Sequence, residues 1–142
     1  MHLLSSDSMP PDALASEFAR VLMSGGVAVM PTDTVYGLAA HPAHDAAVRR
    51  IYDIKRRAPD KPLALLASDL GAVATFCPSM PPHAGALAAK FWPGALTLVM
   101  ECHGTEEGLR VPDHDLARTL LAACGGILRV TSANRSGKPP AL

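Results

Sequence analysis

The sequence predicts a single α/β domain, in which helices pack on a layered sheet. Short apolar runs alternate with amphipathic stretches along all 142 residues, and glycine or proline marks most of their boundaries. Alternation of this kind is typical of one sheet whose faces are covered by the intervening helices. The length and the 49% hydrophobic content suit one buried core, so we predict one domain over 1–142.

Helices are predicted from apolar residues at helical spacing and from signals at the helix ends. In the first helix, Leu14 and Phe18 fall on one face. Asp45 is expected to cap the second helix, and Ser68 or Asp69 the third. The predicted helices cover 12–23, 45–57, 69–76, 84–91 and 115–123.

Strands are predicted from short apolar runs that end at turn residues. The first run stops at Pro31, as expected for a buried strand followed by a turn. The polar residues 101–107 are expected to form a connection. The predicted strands cover 27–30, 63–67, 96–100, 109–111 and 127–131.

Charge and cysteine content exclude several classes of protein. Thirteen basic residues balance thirteen acidic ones, so the net field does not attract nucleic acid or an anionic membrane, and RNA binding would need a local basic patch. Three widely spaced cysteines without a CxxC motif predict reduced thiols rather than a disulfide framework or a zinc site. The N-terminus resembles no secretion signal, and no stretch reaches the ~20 apolar residues of a membrane span. We therefore expect a cytosolic protein that does not enter the membrane.

Four segments carry residues that could bind a ligand or take part in catalysis, and each segment also has a purely structural interpretation. The segment PTDTVYGL, at 31–38, could bind a ligand at a strand end or form a local turn that satisfies its own backbone. Lys55 and Arg57 could bind phosphate or carboxylate oxygens, or interact with a helix C-terminus. Arg110 could pair with an internal acid such as Asp33, or await an anionic ligand. Small polar side chains at 131–137 could hold phosphate oxygens or form an ordinary turn.

Common catalytic motifs are absent from the sequence. It has no GxxxxGKS/T, GxGxxG, HExxH or GxSxG pattern, so it does not favour the usual phosphate-loop, dinucleotide, zinc-protease or serine-hydrolase sites. Six histidines are scattered without ligand spacing, and we assign no residue to a metal.

Taken together and in order, these segments resemble the YrdC-like family of threonylcarbamoyl-AMP synthases. The similarity runs from about residue 21 to the end, and PTDTVYGL, WPGALT and SAN in this order are specific motifs. The stretches that carry it are GGVAVMPTDTVYGLA (25–39), IYDIKRRAPDKPLALL (51–66), FWPGALTLVM (91–100), GLRVPDH (108–114) and TSANRSGKP (131–139).

The resemblance implies a YrdC/RibB-like twisted mixed sheet with helices on both faces and a cleft for ATP, L-threonine and bicarbonate. It implies the product threonylcarbamoyl-AMP, made with the help of Mg²⁺ and used by a partner complex to modify tRNA. Lys55, Arg57, Ser132 and Asn134 match the functional KxR and SxN positions of the family. The implied substrate-binding residues are Thr32, Lys61, Thr97 and Arg110.

The sequence departs from the family pattern in two places. The connection between Thr97 and Arg110 is shorter than usual, and the sequence stops soon after SANRSGKPP, whereas family members continue through a further helix and strands. The departure implies either a C-terminally truncated form or a site that is completed in another way, and ATP affinity is the property that it bears on most. A missing strand would expose a sheet edge and favour a homo-oligomer.

Two other functions fit parts of the sequence. A module that binds double-stranded RNA or tRNA without catalysis would use the basic cluster around the end of the second helix. A carbamoyl adenylation that starts from carbamoyl phosphate is implied by related domains of hydrogenase maturation proteins.

Overall fold

Six short strands form one mixed sheet in the computed structural model, which describes residues 3–140. The strand order across the sheet is β1-β2-β6-β3-β5-β4. The helices and strands, in chain order, are α1 (Pro11–Met23), β1 (Val27–Met30), β2 (Gly37–Ala40), α2 (Asp45–Lys55), β3 (Ala64–Ala67), α3 (Leu70–Phe76), α4 (Pro82–Phe91), β4 (Leu98–Cys102), β5 (Thr105–Arg110), α5 (Asp115–Ala123) and β6 (Ile127–Ser132).

The pairing of the strands places distant segments side by side. β6 lies between β2 and β3 and is antiparallel to both, and β3 runs parallel to β5. Gly37 of β2 is opposite Ser132 of β6, and Leu66 of β3 is opposite Arg110 of β5. The end of the PTDTVYGL segment and the start of SANRSG (132–137), called the SAN segment below, are therefore direct neighbours.

Helices cover both faces of the sheet, as the resemblance implies. α1 and α5 pack on one face around a core that includes Phe18, Leu121 and Leu128. α3 and α4 pack on the other face, over Leu65 and Leu109. α2 covers that second face at the β2 end through a smaller cluster. Because side chains alternate along each strand, neighbouring residues of one strand serve different cores.

The structure confirms most of the predicted elements and corrects several details. α1, β1, α5 and β6 lie within one residue of their predicted bounds. β2 was not predicted, because its sequence GLAA is short and carries no β-branched residue. His44, rather than Asp45, occupies the N-cap position of α2, whereas Asp69 caps α3 by accepting the N–H of Ala72 at 2.7 Å.

The polar residues 101–107 form a β-hairpin, not the connection that we predicted. β4 and β5 pair from Leu98 with Leu109 to Cys102 with Thr105, and the two residues between the strands are His103 and Gly104. Both have positive φ angles, 54° and 81°, as the common two-residue hairpin turn requires. The hairpin lies at the sheet edge, where one face of each strand meets water, so polar residues suit it.

The cysteines also differ from the prediction. Cys77, just after α3, and Cys102, at the end of β4, form a disulfide in the structure, whereas we expected three reduced thiols. Their spacing of 25 residues carries no local signal, because only the packing of α3 on the sheet brings them together. Cys124 is a buried free thiol, and burial raises its pKa to about 11.

Within residues 3–140, every helix is too short or too polar to cross a lipid bilayer.

Candidate functional site

The PTDTVYGL segment forms a tight turn between β1 and β2. The Thr32 hydroxyl accepts the backbone N–H of Thr34 and of Val35, each at 3.2 Å, and donates to the carbonyl of Val35. This is the self-satisfied turn that a Thr at this position favours. The local-turn interpretation therefore accounts for the hydrogen bonds of Thr32 itself, but the turn also places its neighbours at the edge of a cavity.

Arg110 pairs with Asp33, which settles one of the alternatives left open by the sequence. Arg110 Nη1 donates to Asp33 Oδ1, and the other carboxylate oxygen accepts the backbone N–H of Asp113 at 3.0 Å. Arg110 also donates to the carbonyl of Gly94 at 3.1 Å and contacts the Thr34 hydroxyl at 3.4 Å. The guanidinium is thus held by three segments that are far apart in the sequence.

The pairing changes the acidity of Asp33. Burial alone would raise the pKa of this carboxyl, but the hydrogen bonds from Arg110 and from the N–H of Asp113 outweigh it, so the net pKa lies below 3.8. Asp33 is therefore a carboxylate at neutral pH, and its charge offsets that of Arg110.

Lys55 is buried behind the SAN segment. Its ammonium donates to Thr131 Oγ1 at 2.9 Å, to the carbonyl of Ser132 at 2.8 Å and to Asn134 Oδ1 at 3.1 Å. An ammonium has three hydrogens, so these contacts can use all of them. The backbone carbonyl of Lys55 accepts the N–H of Ser136 at 2.9 Å, which fixes the SAN segment at a second point.

Among residues 3–140, no carboxylate compensates the charge of Lys55. The ion pairs formed within residues 3–140 do not include it, and its side chain is nearly inaccessible to solvent. Burial, together with the nearby positive charge of Arg57, lowers the pKa of Lys55 below its ordinary value of 10.5. This corner of the site therefore carries positive charge held only by neutral oxygen atoms.

Arg57 follows the end of α2, where Arg56 adopts a left-handed conformation with φ of 52°. Arg57 Nε donates to the carbonyl of Lys61 at 3.2 Å, and Nη2 donates to the carbonyl of Pro62 at 2.9 Å. These two bonds hold the guanidinium against the start of β3. No acid within the described part of the chain lies within ion-pair distance of it.

A cavity of about 270 Å³ lies over the sheet where these segments meet. The PTDTVYGL turn and the ends of β5 and β6 form its walls, and β2, β3 and β6 contribute to its base. The residues that line it are Thr32, Thr34, Val35, Tyr36, Gly37, Arg57, Pro62, Ala64, Leu66, Thr97, Arg110, Val130, Thr131 and Ser132.

Gly37 shows why the base of the cavity needs a residue without a side chain. A Cβ atom at this position would lie 2.5 Å from Cγ1 of Val130, which is closer than two non-bonded carbon atoms can approach. The glycine therefore lets β2 and β6 pack closely beneath the cavity.

The structure brings most of the predicted site residues together. Of the eight, five line the cavity: Thr32, Arg57, Thr97, Arg110 and Ser132. Lys55 and Asn134 do not line it but bond to each other and to the Ser132 side chain from behind, with Asn134 Oδ1 at 2.6 Å from Ser132 Oγ. Lys61 has an exposed side chain and contributes its backbone carbonyl to Arg57. The individual catalytic and binding roles of these residues remain predictions.

Sequence reasoning did not assign a role to two further residues of the site. Thr131 is the nearest hydroxyl to Lys55, and Thr34 contacts Arg110. Both lie within the motifs already quoted, so their position was available from the sequence. Their partners were not, because each contact joins residues at least 76 positions apart.

Comparisons with known proteins show which family this chain resembles in sequence and in fold. The sequence model of the Sua5/YciO/YrdC family, described as "Telomere recombination", matches residues 20–142. The threonylcarbamoyl-AMP synthase of Bacillus subtilis is 37% identical over 90% of this chain, and that of Chromohalobacter salexigens is 36% identical over 92%. The crystal structure of P. abyssi Sua5 complexed with L-threonine superposes with a TM-score of 0.85 at 31% identity, over 92% of this chain.

The shared region is a different fraction of each relative. The chain spans 40% of the Bacillus subtilis protein, 76% of the Chromohalobacter salexigens protein and 41% of the P. abyssi chain. The family model covers well over half of the present chain, and the matched range includes the segments that form the cavity. The chain therefore belongs to the Sua5/YciO/YrdC family.

Proposed function

We propose that this chain binds L-threonine, bicarbonate and ATP and forms threonylcarbamoyl-AMP with release of pyrophosphate. The single observation that carries the proposal is the cavity in which Arg57, Arg110 and Ser132 converge from distant segments. Relatives that share more than a third of its residues are named threonylcarbamoyl-AMP synthases, and a related structure contains L-threonine.

The proposed reaction has two steps and needs no covalent bond to the protein. The deprotonated amine of threonine forms an N–C bond to the carbon of bicarbonate, and water leaves to give a carbamate. A carbamate oxygen then attacks the α-phosphorus of ATP, and the bond to the pyrophosphate oxygen breaks. The protein would contribute mainly by positioning the reactants and by neutralising negative charge.

The cavity residues divide this work according to their existing partners. Arg57 has nitrogen atoms bound only to backbone carbonyls, so its charge is available to phosphate oxygens. Arg110 is already neutralised by Asp33 and would orient a carboxylate or phosphate group at the opposite wall. The hydroxyls of Thr97 and Ser132 would hydrogen-bond threonine, the carbamate and the α-phosphate. Thr32 would hydrogen-bond threonine by exchanging its bond to the carbonyl of Val35.

Lys55 is a positioning residue in this proposal. Its ammonium is committed to the SAN segment, so it would keep Ser132 at the cavity wall rather than contact the substrate. Its charge would still favour an anion at that wall, because no acid in the described part of the chain offsets it. Asn134 would act in the same way, since its side-chain oxygen bonds both to Lys55 and to Ser132.

The residues that surround the cavity do not form a binding site for magnesium. Residues 3–140 contain no cluster of three His, Cys, Asp or Glu side chains that could hold a metal, and Asp33, the carboxylate of the PTDTVYGL turn, is bound to Arg110. We therefore assign no step to a protein-bound metal. We expect Mg²⁺ to enter with the phosphate oxygens of ATP, which are its preferred ligands together with water.

The product is a reactive mixed anhydride, so a second protein must consume it. We propose that a partner complex transfers the threonylcarbamoyl group to tRNA, and that this takes place in the cytoplasm.

The decisive experiment measures pyrophosphate release with threonine, bicarbonate and ATP, omitting one of the three at a time. We expect release only with all three, and the adenylate should appear by mass spectrometry. Arg57→Ala should reduce turnover by about 10²-fold or more, as for removal of one preorganised donor. Arg56→Ala is the matched control, because Arg56 is adjacent but exposed and does not line the cavity.

Three outcomes would contradict the proposal. Near-normal pyrophosphate release by Arg57→Ala would remove that residue from the site. Release that requires carbamoyl phosphate in place of threonine and bicarbonate would assign the chain to a different adenylation. Salt-dependent RNA binding without any pyrophosphate release would indicate a binding module instead.

A further inference from the structure

A second cavity has a volume of about 410 Å³. The two cavities lie on opposite sides of the C-terminal end of β5. The second cavity opens beyond the carboxyl ends of β3 and β5, which run parallel, and between α3, α4 and α5. Crevices at the carboxyl ends of parallel strands are frequent ligand sites in α/β folds. The residues that line it are Asp69, Leu70, Gly71, Ala88, Ala89, Trp92, Pro93, Val111 and Arg118.

The cation that faces this cavity, Arg118, has no ionic partner among the residues that the structure describes. Arg118 of α5 donates from Nε to the carbonyl of Ser68 at 2.8 Å, which orients its side chain across the end of β3. Within residues 3–140, no carboxylate lies within ion-pair distance of its guanidinium, and its terminal nitrogens donate to no protein acceptor. A partly buried guanidinium in this state presents a planar pair of donors that matches a carboxylate or a phosphate.

The remaining lining is mostly apolar. Leu70, Trp92 and Val111 supply an aromatic and two aliphatic surfaces, and alanines of α4 leave the space between them open. The indole N–H of Trp92 already donates to the carbonyl of Leu96 at 2.7 Å, so the ring offers an apolar surface. Asp69 is the acid among the lining residues, and its Oδ1 accepts the N–H of Ala72 at the start of α3.

The two cavities are separated by a thin wall. Arg110 lines the first cavity, and the next residue, Val111, lines the second. Pro93 also lines the second, and the residue after it, Gly94, bonds to Arg110 and to the carbonyl of Val111. An occupant of the second cavity therefore makes none of its contacts with Arg57 or Ser132.

We propose that this second cavity binds a small organic anion with an apolar body, such as an aromatic carboxylate. The anionic group would bind the guanidinium of Arg118, and the apolar body would lie between Trp92 and the alanines of α4. This combination of an apolar pocket with one placed charge is typical of small-molecule sites. The proposal does not depend on the adenylation described above.

Trp92 provides a direct measurement, because it is the single tryptophan of the 142 residues. Benzoate is the probe, and benzamide, of the same shape but without charge, is its control. We expect benzoate to change the fluorescence of Trp92 in a saturable way, with a Kd on the order of 1 mM for so small a ligand. Benzamide should bind at least about tenfold more weakly, because it lacks the charged partner of Arg118.

Four variants assign the signal to the cavity. Arg118→Gln should weaken benzoate binding about tenfold and abolish the preference over benzamide. Ala89→Phe should fill the space and abolish binding of both probes. Asp69→Asn should strengthen benzoate binding several-fold, because it removes a nearby like charge while keeping a helix-capping side chain. Arg49→Gln, on the exposed face of α2, is the matched control and should bind as the wild type does.

The proposal is overturned by any of three results. These are an unchanged Trp92 signal at saturating benzoate, equal binding of benzoate and benzamide, and wild-type binding by Arg118→Gln. Loss of binding in Arg57→Gln with retention in Arg118→Gln would place the probe in the first cavity instead. Circular dichroism of each variant excludes loss of folding as the cause.

Discussion

Lys55 and Arg110 are both buried cations beside one cavity, but the protein holds them in different ways. Lys55 is 2% exposed and bonds only to neutral oxygens, whereas Arg110 is 8% exposed and pairs with Asp33. The first arrangement leaves a net positive charge and the second does not. Desolvating an unpaired charge is costly, so its retention indicates a function that stability does not explain.

The comparison predicts which change affects activity most. Lys55→Met keeps the volume of the side chain but removes the charge and the donors to Ser132. We expect the proposed pyrophosphate release to fall about 10²- to 10³-fold, or about 3 to 4 kcal/mol in transition-state stabilisation. The free energy of unfolding should change much less, because relief of the buried charge offsets the lost hydrogen bonds.

Measured kcat and KM, together with urea denaturation, test both halves of this prediction. Ile54→Met, one residue earlier and exposed at the surface of α2, is the matched control. If Lys55→Met retained full activity, the charge at the SAN segment would be irrelevant to the reaction.

A mutation in the Arg110 region should lower the free energy of unfolding, whereas Lys55→Met mainly lowers activity. Asp33→Asn leaves the guanidinium of Arg110 without its counter-charge and weakens the bond to the N–H of Asp113. Removing one partner of a buried pair costs about 3 kcal/mol, and urea denaturation measures this loss.

Glu107→Gln provides the control for that loss. Glu107 pairs with Arg129 in a similarly buried setting that does not line the cavity. Glu107→Gln should lower the free energy of unfolding about as much as Asp33→Asn does, but it should leave the KM for threonine unchanged. Asp33→Asn should raise that KM. Equal KM effects would show that Arg110 has no place in binding.

The two regions also predict opposite pH effects. The pKa of Asp33 is lowered in the folded state, so its stabilising contribution is present above 3.8 and is lost as the pH falls through the folded pKa. The pKa of Lys55 is also lowered, but here the folded state releases its proton first. The free energy of unfolding should therefore rise as the pH approaches 10.5, the ordinary value of a lysine.

Denaturation midpoints across acid and alkaline pH, for the wild type, Asp33→Asn and Lys55→Met, check these slopes. The acid loss attributable to Asp33 should be missing from Asp33→Asn, and the alkaline gain should be missing from Lys55→Met. Both pH-dependent changes in the free energy of unfolding should be smaller than the change caused by Asp33→Asn. Protonation of Asp33 or deprotonation of Lys55 leaves the neighbouring hydrogen-bonding groups in place. An alkaline gain that persists in Lys55→Met would assign it to another group.

The sequence predicted the elements that position the site better than the contacts within it. β1, α2 and β6 followed from apolar spacing and end signals, and the motif order brought Arg57, Arg110 and Ser132 to one cavity. The resemblance, rather than any local pattern, supplied that convergence. The hairpin of β4 and β5 escaped prediction because its polar residues suit a sheet edge as well as a loop.

The partners of Arg110 and Lys55 could not be predicted from the sequence alone. The possible pair of Arg110 with Asp33 was one of two alternatives, and only the packing of the PTDTVYGL turn against β5 decided it. Lys55 was expected to face phosphate, whereas its hydrogen bonds go to Thr131 and the SAN segment, 76 or more residues away. Such contacts depend on strand order, which short motifs do not encode.

The smallest effect that separates the two regions comes from Thr131→Val. This change keeps the shape of the side chain but removes the hydroxyl that accepts from Lys55 at 2.9 Å. We expect a loss of about 1 kcal/mol in the free energy of unfolding, because the ammonium keeps its bonds to Ser132 and Asn134. Activity should fall only slightly, since the charge stays in place. If Thr131→Val lowered activity as much as Lys55→Met does, the position of the Thr131 hydroxyl would matter more for the reaction than the charge of Lys55.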